Sequence, residues 1–317
     1  LELASEVIAA ALRVRELRVR RAADNASRAE IVVARQDPLA VGPPLPWPEF
    51  GAGQASLWQP IPVGVGEDGQ AVTVLLPERN LLLGGEPGAG KSVALSLLVA
   101  TAALDPESKL WLLDGKLVEL ATWGRCAEGS AGVSVSEAID VLRNLQEEMD
   151  QRYVQLLRAG KRKVARGDGL PLHVVVVDEL AHYLTTSDRK ERTAFADVLR
   201  DLVSRGRAAG IIVLAATQKP SADVVPTSIR DLFGFRWAMR CSTPQASDTI
   251  LGSGWASAGY SAADIDPASR GVGFLLHEGG IPQRLRSYYL DDTSLASISA
   301  RAEALRRHRP EPSGGAT

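Results

Sequence analysis

An α/β fold, with a mostly parallel sheet covered by helices on both faces, is what this 317-residue sequence predicts. Three observations point to it. The aliphatic runs "NLLLGG", "KLWLLDG", "HVVVVDE" and "GIIVLAATQ" lack polar alternation, as expected of strands buried on both faces. Stretches of helical periodicity lie between them, near 91–104, 135–159, 190–208 and 222–231, which implies parallel strands joined by helical crossovers. A glycine-rich turn closes the first run and opens the first helix. The composition permits a sizeable core, with 45% hydrophobic and 23% charged residues.

Four segments follow along the chain. Residues 1–36 predict a basic helix, since apolar positions recur through "LELASEVIAAALRVRELRV" without Pro or Gly. Such a helix is either a solvated face or a basic segment at a membrane surface below an upstream anchor. Residues 37–62, rich in Pro, Gly and Trp, predict an extended linker or covering loop. The α/β unit takes 63–292, with "GFRWAMR" and "GVGFLLH" adding strands at the end of the sheet. Residues 293–317 predict a short helix and a disordered tail, "RPEPSGGAT".

Charge and cysteine usage exclude some classes. A net charge of −2 argues against a surface that binds polyanions everywhere, though not against a local basic channel. Cys126 and Cys241 lack metal spacing and predict buried thiols in a reducing compartment. No signal peptide is expected within these residues, and no apolar run reaches the roughly 18 residues of a membrane span. The expected location is the cytoplasm, or the cytoplasmic face of the membrane through an anchor upstream of Leu1, because the chain begins as a fragment would.

The glycine-rich turn carries the chemistry. Gly85, Glu86, Pro87, Gly88, Ala89, Gly90, Lys91 and Ser92 match G-x-x-x-x-G-K-[ST] in full, after a strand and before a helix. Small residues let backbone N–H groups turn inward around phosphates, and the helix N-terminus adds its positive end. Lys91 would reach the β and γ phosphates of ATP, and Ser92 would ligate Mg²⁺. Asp178, after four valines, would hold Mg²⁺ at the carboxyl end of a buried strand, and Glu179 would position and deprotonate water. The alternative for both is an ordinary acidic pair at a helix start.

Gln218 ends the next aliphatic run, where it can contact the γ-phosphate and report its loss. Arg207 lies at the opposite end of that run, so it suits a neighbouring subunit's site as a finger supplied in trans. The alternative is a helix-end cation, and Arg205 is the rival finger.

Over roughly residues 60–292 the chain resembles the FtsK/SpoIIIE-type DNA translocases, RecA-like hexameric motors. The resemblance runs through the phosphate loop, "LLDGKLVEL", "EEMDQRY", "LPLHVVVVDELAHYL" and "GRAAGIIVLAATQKPSADVV". It is nearest in flavour to actinobacterial plasmid-transfer and integrative-element translocases. The resemblance implies a homo-hexameric ring with ATP between subunits and double-stranded DNA in the pore. It also implies that Arg207 is the finger and Gln218 the sensor. A first DNA loop then begins at Thr217 and Lys219, with Arg230 at a basic DNA-contacting position. In the second loop the family's basic positions fall on Pro244 and Asp248, a departure. Only a short helix follows the core in this sequence, so the winged-helix module that reads orienting sequences is not expected within it. The competing functions are an FtsK-like ATPase of type VII-like protein secretion, and a nucleotide-dependent assembly module. No small-molecule substrate other than ATP is expected.

Overall fold

In a computed structural model of the chain, the described residues are 7–8, 10–14, 16–21, 28–34, 37, 39, 42–51 and 53–307. The aliphatic runs form the predicted parallel strands β5 (Leu81–Gly84), β6 (Ser108–Leu113), β8 (Leu172–Val177) and β9 (Ile211–Thr217), and "FRWAM" forms a further one, β10 (Phe235–Met239). Every residue of β5, β8 and β9 is buried. With β7 (Ala127–Ala131) they pair in parallel in the order β10-β5-β9-β8-β6-β7.

Alternate residues of each strand serve different cores, as the two-residue period of a strand requires. Leu81, Leu83, Val174, Val176, Ile212 and Leu214 face one side, with α1 (Lys91–Leu104) and α7 (Asp292–Arg307). Leu82, Val175, Val177, Val213 and Ala215 face the other, with α2 (Val135–Arg158) and α4 (Arg189–Arg205). This is the RecA-like layout that the resemblance implies.

β10 lies inside the sheet, beside β5, because its antiparallel neighbour β11 (Val272–His277) continues outward. Beyond it come β12 (Gln283–Ser287), β3 (Ile61–Gly66) and β4 (Ala71–Val74), all antiparallel. The helix expected near 222–231 shrinks to the four-residue α5 (Thr227–Arg230) after Pro226, which cannot continue a helix ladder.

The N-terminal expectation needs correction. Residues 7–8 and 10–12 are helical, but β1 (Glu16–Arg21) and β2 (Ala29–Ala34) form an antiparallel pair, Glu16 opposite Ala34 and Arg21 opposite Ala29. The sequence explains it: Leu17-Arg18-Val19-Arg20 alternates with period two, and Ile31, Val32 and Val33 are β-branched. In the Pro-rich stretch Trp47, Ala55 and Leu57 join the core. Trp47 is buried and donates its indole N–H to the Pro62 carbonyl at 3.0 Å, and Arg284 grips Asp37 at 2.8 Å.

α7 packs its buried Ile298 and Ala302 on the α1 side of the sheet. Its Arg306 guanidinium donates to the Ala102 and Ala103 carbonyls at the end of α1 (2.8 and 3.0 Å), a cation on the negative end of a helix. The predicted tail at 308–317 lies outside the described residues. Cys126 and Cys241 are buried free thiols. Among the described residues no helix is long and apolar enough to cross a membrane.

Candidate functional site

The loop between β5 and α1 is pinned from both sides. Gly85 N–H donates to Thr217 O of β9 at 3.3 Å, and Glu86 N–H donates to Arg240 O beyond β10 at 2.9 Å. The side chains of Glu86 and Arg240 are ion-paired. Gly88 and Gly90 take φ of +78° and +108°, values that favour glycine. A Cβ on Gly90 would also come 3.0 Å from Gly271. No side chain caps α1, and its first turn holds no acid, so its leading N–H groups keep their affinity for an anion.

Lys91 is buried and folds back to donate to the Glu86 carbonyl at 2.9 Å, inside the loop that would hold the phosphates. Burial lowers its pKa to about 8; nearby Glu179 opposes the shift and Lys116 adds to it. Lys91, Ser92, Lys116, Glu119, Asp178 and Gln218 line one cleft.

Asp178 and Glu179 follow β8 directly, at the carboxyl end of the parallel strands. Asp178 Oδ1 accepts the Gly115 N–H at 2.8 Å, while Oδ2 is buried without a hydrogen-bond partner. Burial raises the Asp178 pKa to about 6, and Asp114 adds to the rise. An orphaned carboxylate oxygen in the same cleft as the Ser92 hydroxyl fits a divalent cation such as Mg²⁺.

Glu179 is held by β9. Its Oε1 accepts from Thr217 Oγ1 at 2.9 Å, Gln218 N–H at 3.1 Å and Ala181 N–H at 3.3 Å. Its Oε2 accepts the same Gln218 N–H at 3.1 Å and lies 3.6 Å from Lys116 Nζ. Lys116, on the "DGK" turn after β6, is a site residue that sequence reasoning left without a role. Its position after a central strand was the available signal.

The expected DNA contact at Thr217 is corrected. Thr217 is fully buried, its hydroxyl donates to Glu179 and accepts the Lys219 N–H at 3.1 Å, and it presents nothing to a ligand outside. Lys219, two residues on, is exposed. Arg230 is tied to its own chain, donating to Asp231 at 2.8 Å and to Asp248 O at 3.4 Å. Pro244 and Asp248 lie on α6 (Pro244–Leu251), and the Asp248 carboxylate accepts the Gly254 and Ala256 N–H groups, an intrachain role.

Arg207 is the residue the structure does not bring to the cleft. Ala208, Ala209, Gly210 and the seven residues of β9 separate it from Gln218, the strand alone spanning roughly 23 Å at about 3.3 Å per residue. Its Nε donates to Glu78 O at 2.6 Å and its guanidinium pairs with Glu278 at 3.1 Å. Arg205, the rival, is bound to Asp150 and Asp201 and lies over the Tyr153 ring.

Residues 54–171 match the model of the FtsK/SpoIIIE family. DNA translocase FtsK of Staphylococcus aureus is 31% identical over 217 residues, 61% of this chain and 27% of that protein. DNA translocase FtsK of Lactococcus lactis is 28% identical over 315 residues, 93% of this chain and 40% of that protein. The chain thus spans well under half the length of these curated relatives. Among solved structures, the pCW3 conjugation coupling protein TcpA, in a monomer form with ATPγS, superposes with a TM-score of 0.73 at 21% identity. That match covers 96% of this chain and 85% of the other. EssC (ATPases 2 and 3) of Geobacillus thermodenitrificans reaches 0.68 at 16% identity, covering 86% of this chain and 53% of that one. At these identities the structures speak for the fold. With a family model that spans the nucleotide loop and the strand beside it, the chain carries a P-loop ATPase domain of the FtsK/SpoIIIE family.

Proposed function

We propose that the chain is an ATP-driven double-stranded DNA translocase that works as a homo-hexameric ring, with ATP hydrolysed between subunits. The relatives named above are DNA translocases, which supports the cargo. The observation that carries the coupling is the contact between Glu179 and the end of β9. Thr217 Oγ1 donates to the carboxylate and accepts from the Lys219 N–H, so one hydroxyl joins the hydrolytic group to the exposed start of the DNA loop.

Lys91 leaves the Glu86 carbonyl for the β and γ phosphates, and the N–H groups of the loop and of α1 surround them. Ser92 and Asp178 would hold Mg²⁺, which would supply positive charge to offset that of the phosphates. Glu179 orients a water and takes its proton as the water oxygen bonds to γ-phosphorus. The bond from γ-phosphorus to the bridging oxygen breaks, and ADP leaves with that oxygen. Gln218 senses the γ-phosphate, and its own N–H on Glu179 passes the change to β9. Arg207, remote from its own cleft, completes the neighbour's site. Lys219 and Arg230 contact DNA phosphates, which provide affinity without sequence information.

The test is the ATPase rate with and without linear duplex DNA, followed by triplex displacement. DNA-stimulated hydrolysis that displaces the triplex is expected. A rate indifferent to DNA would remove this reading in favour of protein secretion.

A further inference from the structure

We propose that Lys116 is a positioning residue for hydrolysis, holding the Glu179 carboxylate through Oε2; this rests on the reading of Glu179 as the group that activates water. The turn that carries Lys116 is fixed by groups other than its own side chain. β6 pairs with β8 so that Leu113 lies opposite Val177, and the next residues emerge beside Asp178. Gly115 N–H donates to Asp178 Oδ1 at 2.8 Å. Asp114 accepts the Lys116 N–H on Oδ1 at 3.1 Å and the Leu120 N–H on Oδ2 at 2.9 Å, closing the turn with both oxygens.

Leu117 then takes φ of +66°, a left-handed value uncommon for any residue but glycine. The outcome inverts ordinary hydrophobic sorting. Leu117 and Val118 are 58% and 72% exposed, whereas the Lys116 side chain is 29% exposed and ends 3.6 Å from Glu179 Oε2. Strained backbone that turns a cation inward and aliphatic groups outward is the kind that persists at working sites. The placement also has an electrostatic purpose. Oε1 of Glu179 accepts from three donors, but Oε2 has only the Gln218 N–H besides Lys116 among its described contacts. Lys116 is the one cation on that oxygen among the described residues, so without it Oε2 keeps only the Gln218 N–H that it shares with Oε1.

The experiment uses Lys116→Met, which keeps the length and apolar stem, and Lys116→Arg, each in wild-type and Glu179→Gln chains. Single-turnover hydrolysis at saturating ATP and ATPγS affinity by calorimetry are measured. Lys116→Met should slow hydrolysis about tenfold or more, as misplacement of a catalytic group does. Affinity for ATPγS should stay within about twofold, and Lys116→Arg should restore most of the rate. In the Glu179→Gln background, Lys116→Met should add no further loss, because it acts through the group already removed. A loss that multiplies in that background overturns the proposal, as does an equal fall in ATPγS affinity in both backgrounds, which would mark a phosphate ligand. If Glu179→Gln is inactive and Lys116→Met is as fast as wild type, the role of Lys116 alone fails. If Glu179→Gln hydrolyses at the wild-type rate, the reading of Glu179 fails, and this proposal with it.

Discussion

At its C-terminal end β9 delivers Thr217 and Gln218 into a buried network around Glu179, within reach of the phosphate loop. At its N-terminal end it begins just after Arg207, whose side chain is 34% exposed and rests on Glu78 and Glu278. One end is assembled within a single chain, with Glu179 already held by its donors and Asp178 Oδ2 left open for a cation. The other presents a cation held by one carbonyl and one exposed carboxylate, both easily exchanged. A strand with a finished site at one end and an uncommitted arginine at the other suits a ring, in which each interface needs one of each.

The sharpest way to break this contrast is Arg207→Ala. If Arg207 acts in trans, the variant should bind ATPγS normally as a monomer and lose hydrolysis on assembly by about 10³ to 10⁵. A helix-end charge is worth only about 0.3–1 kcal/mol, so the two explanations separate clearly. Mixing Arg207→Ala with Lys91→Ala chains should restore some hydrolysis, at interfaces that pair an intact loop with an intact arginine. Wild-type hydrolysis by Arg207→Ala alone would end the trans reading and make Arg205 the next residue to test.

The same contrast explains what could be read from the sequence. The phosphate loop and the Asp178-Glu179 pair were legible because their chemistry lies in adjacent residues, flanked by strands whose unbroken Val and Leu runs identify them. The parallel core followed from the same runs. Lys116 was hidden, since its role depends on β6 lying next to β8 and on Leu117 adopting a positive φ, neither of which is a local pattern. Thr217 was assigned to DNA because family position says which loop a residue starts, not which way its side chain turns. The N-terminal strands were missed where Ala, Leu and Arg favour helix while the alternation in "LRVR" favours a strand, and the pairing with 29–34 overrode the propensity.

A milder break comes from Thr217→Val, nearly isosteric and lacking the hydroxyl. It removes one of the donors to Glu179 and the acceptor for the Lys219 N–H. Hydrolysis should fall about tenfold, the scale of one lost hydrogen bond of about 1.5 kcal/mol to a charged group. Equilibrium DNA affinity, measured by anisotropy without nucleotide, should not change, since the side chain is buried. A drop in DNA affinity with hydrolysis intact would return Thr217 to the DNA loop and dissolve the link drawn here between the two.

The smallest effect concerns what the finished end of β9 costs. Asp178 is buried beside Asp114 and has an unpartnered oxygen, so its ionised form opposes folding when no cation is bound. Its folded pKa of about 6 stands above the ordinary aspartate value of 3.8. The sign follows: the favourable contribution of the protonated group is complete below the unfolded value and is lost as pH rises through about 6. Asp178→Asn should therefore be more stable in metal-free buffer at pH 7.5, by about 1–3 kcal/mol after allowance for partial solvent screening, and melt at a higher temperature. The advantage should shrink as pH falls through about 6 and vanish near pH 4. Arg207→Ala, at the uncommitted end, should show no such pH-dependent gain over the same range. Thermal melts of both variants in EDTA across pH 4 to 8 make the comparison. A destabilised Asp178→Asn at pH 7.5 would mean that the carboxylate is already compensated in the empty protein. The free oxygen of Asp178 would then lose its standing as the seat of a cation.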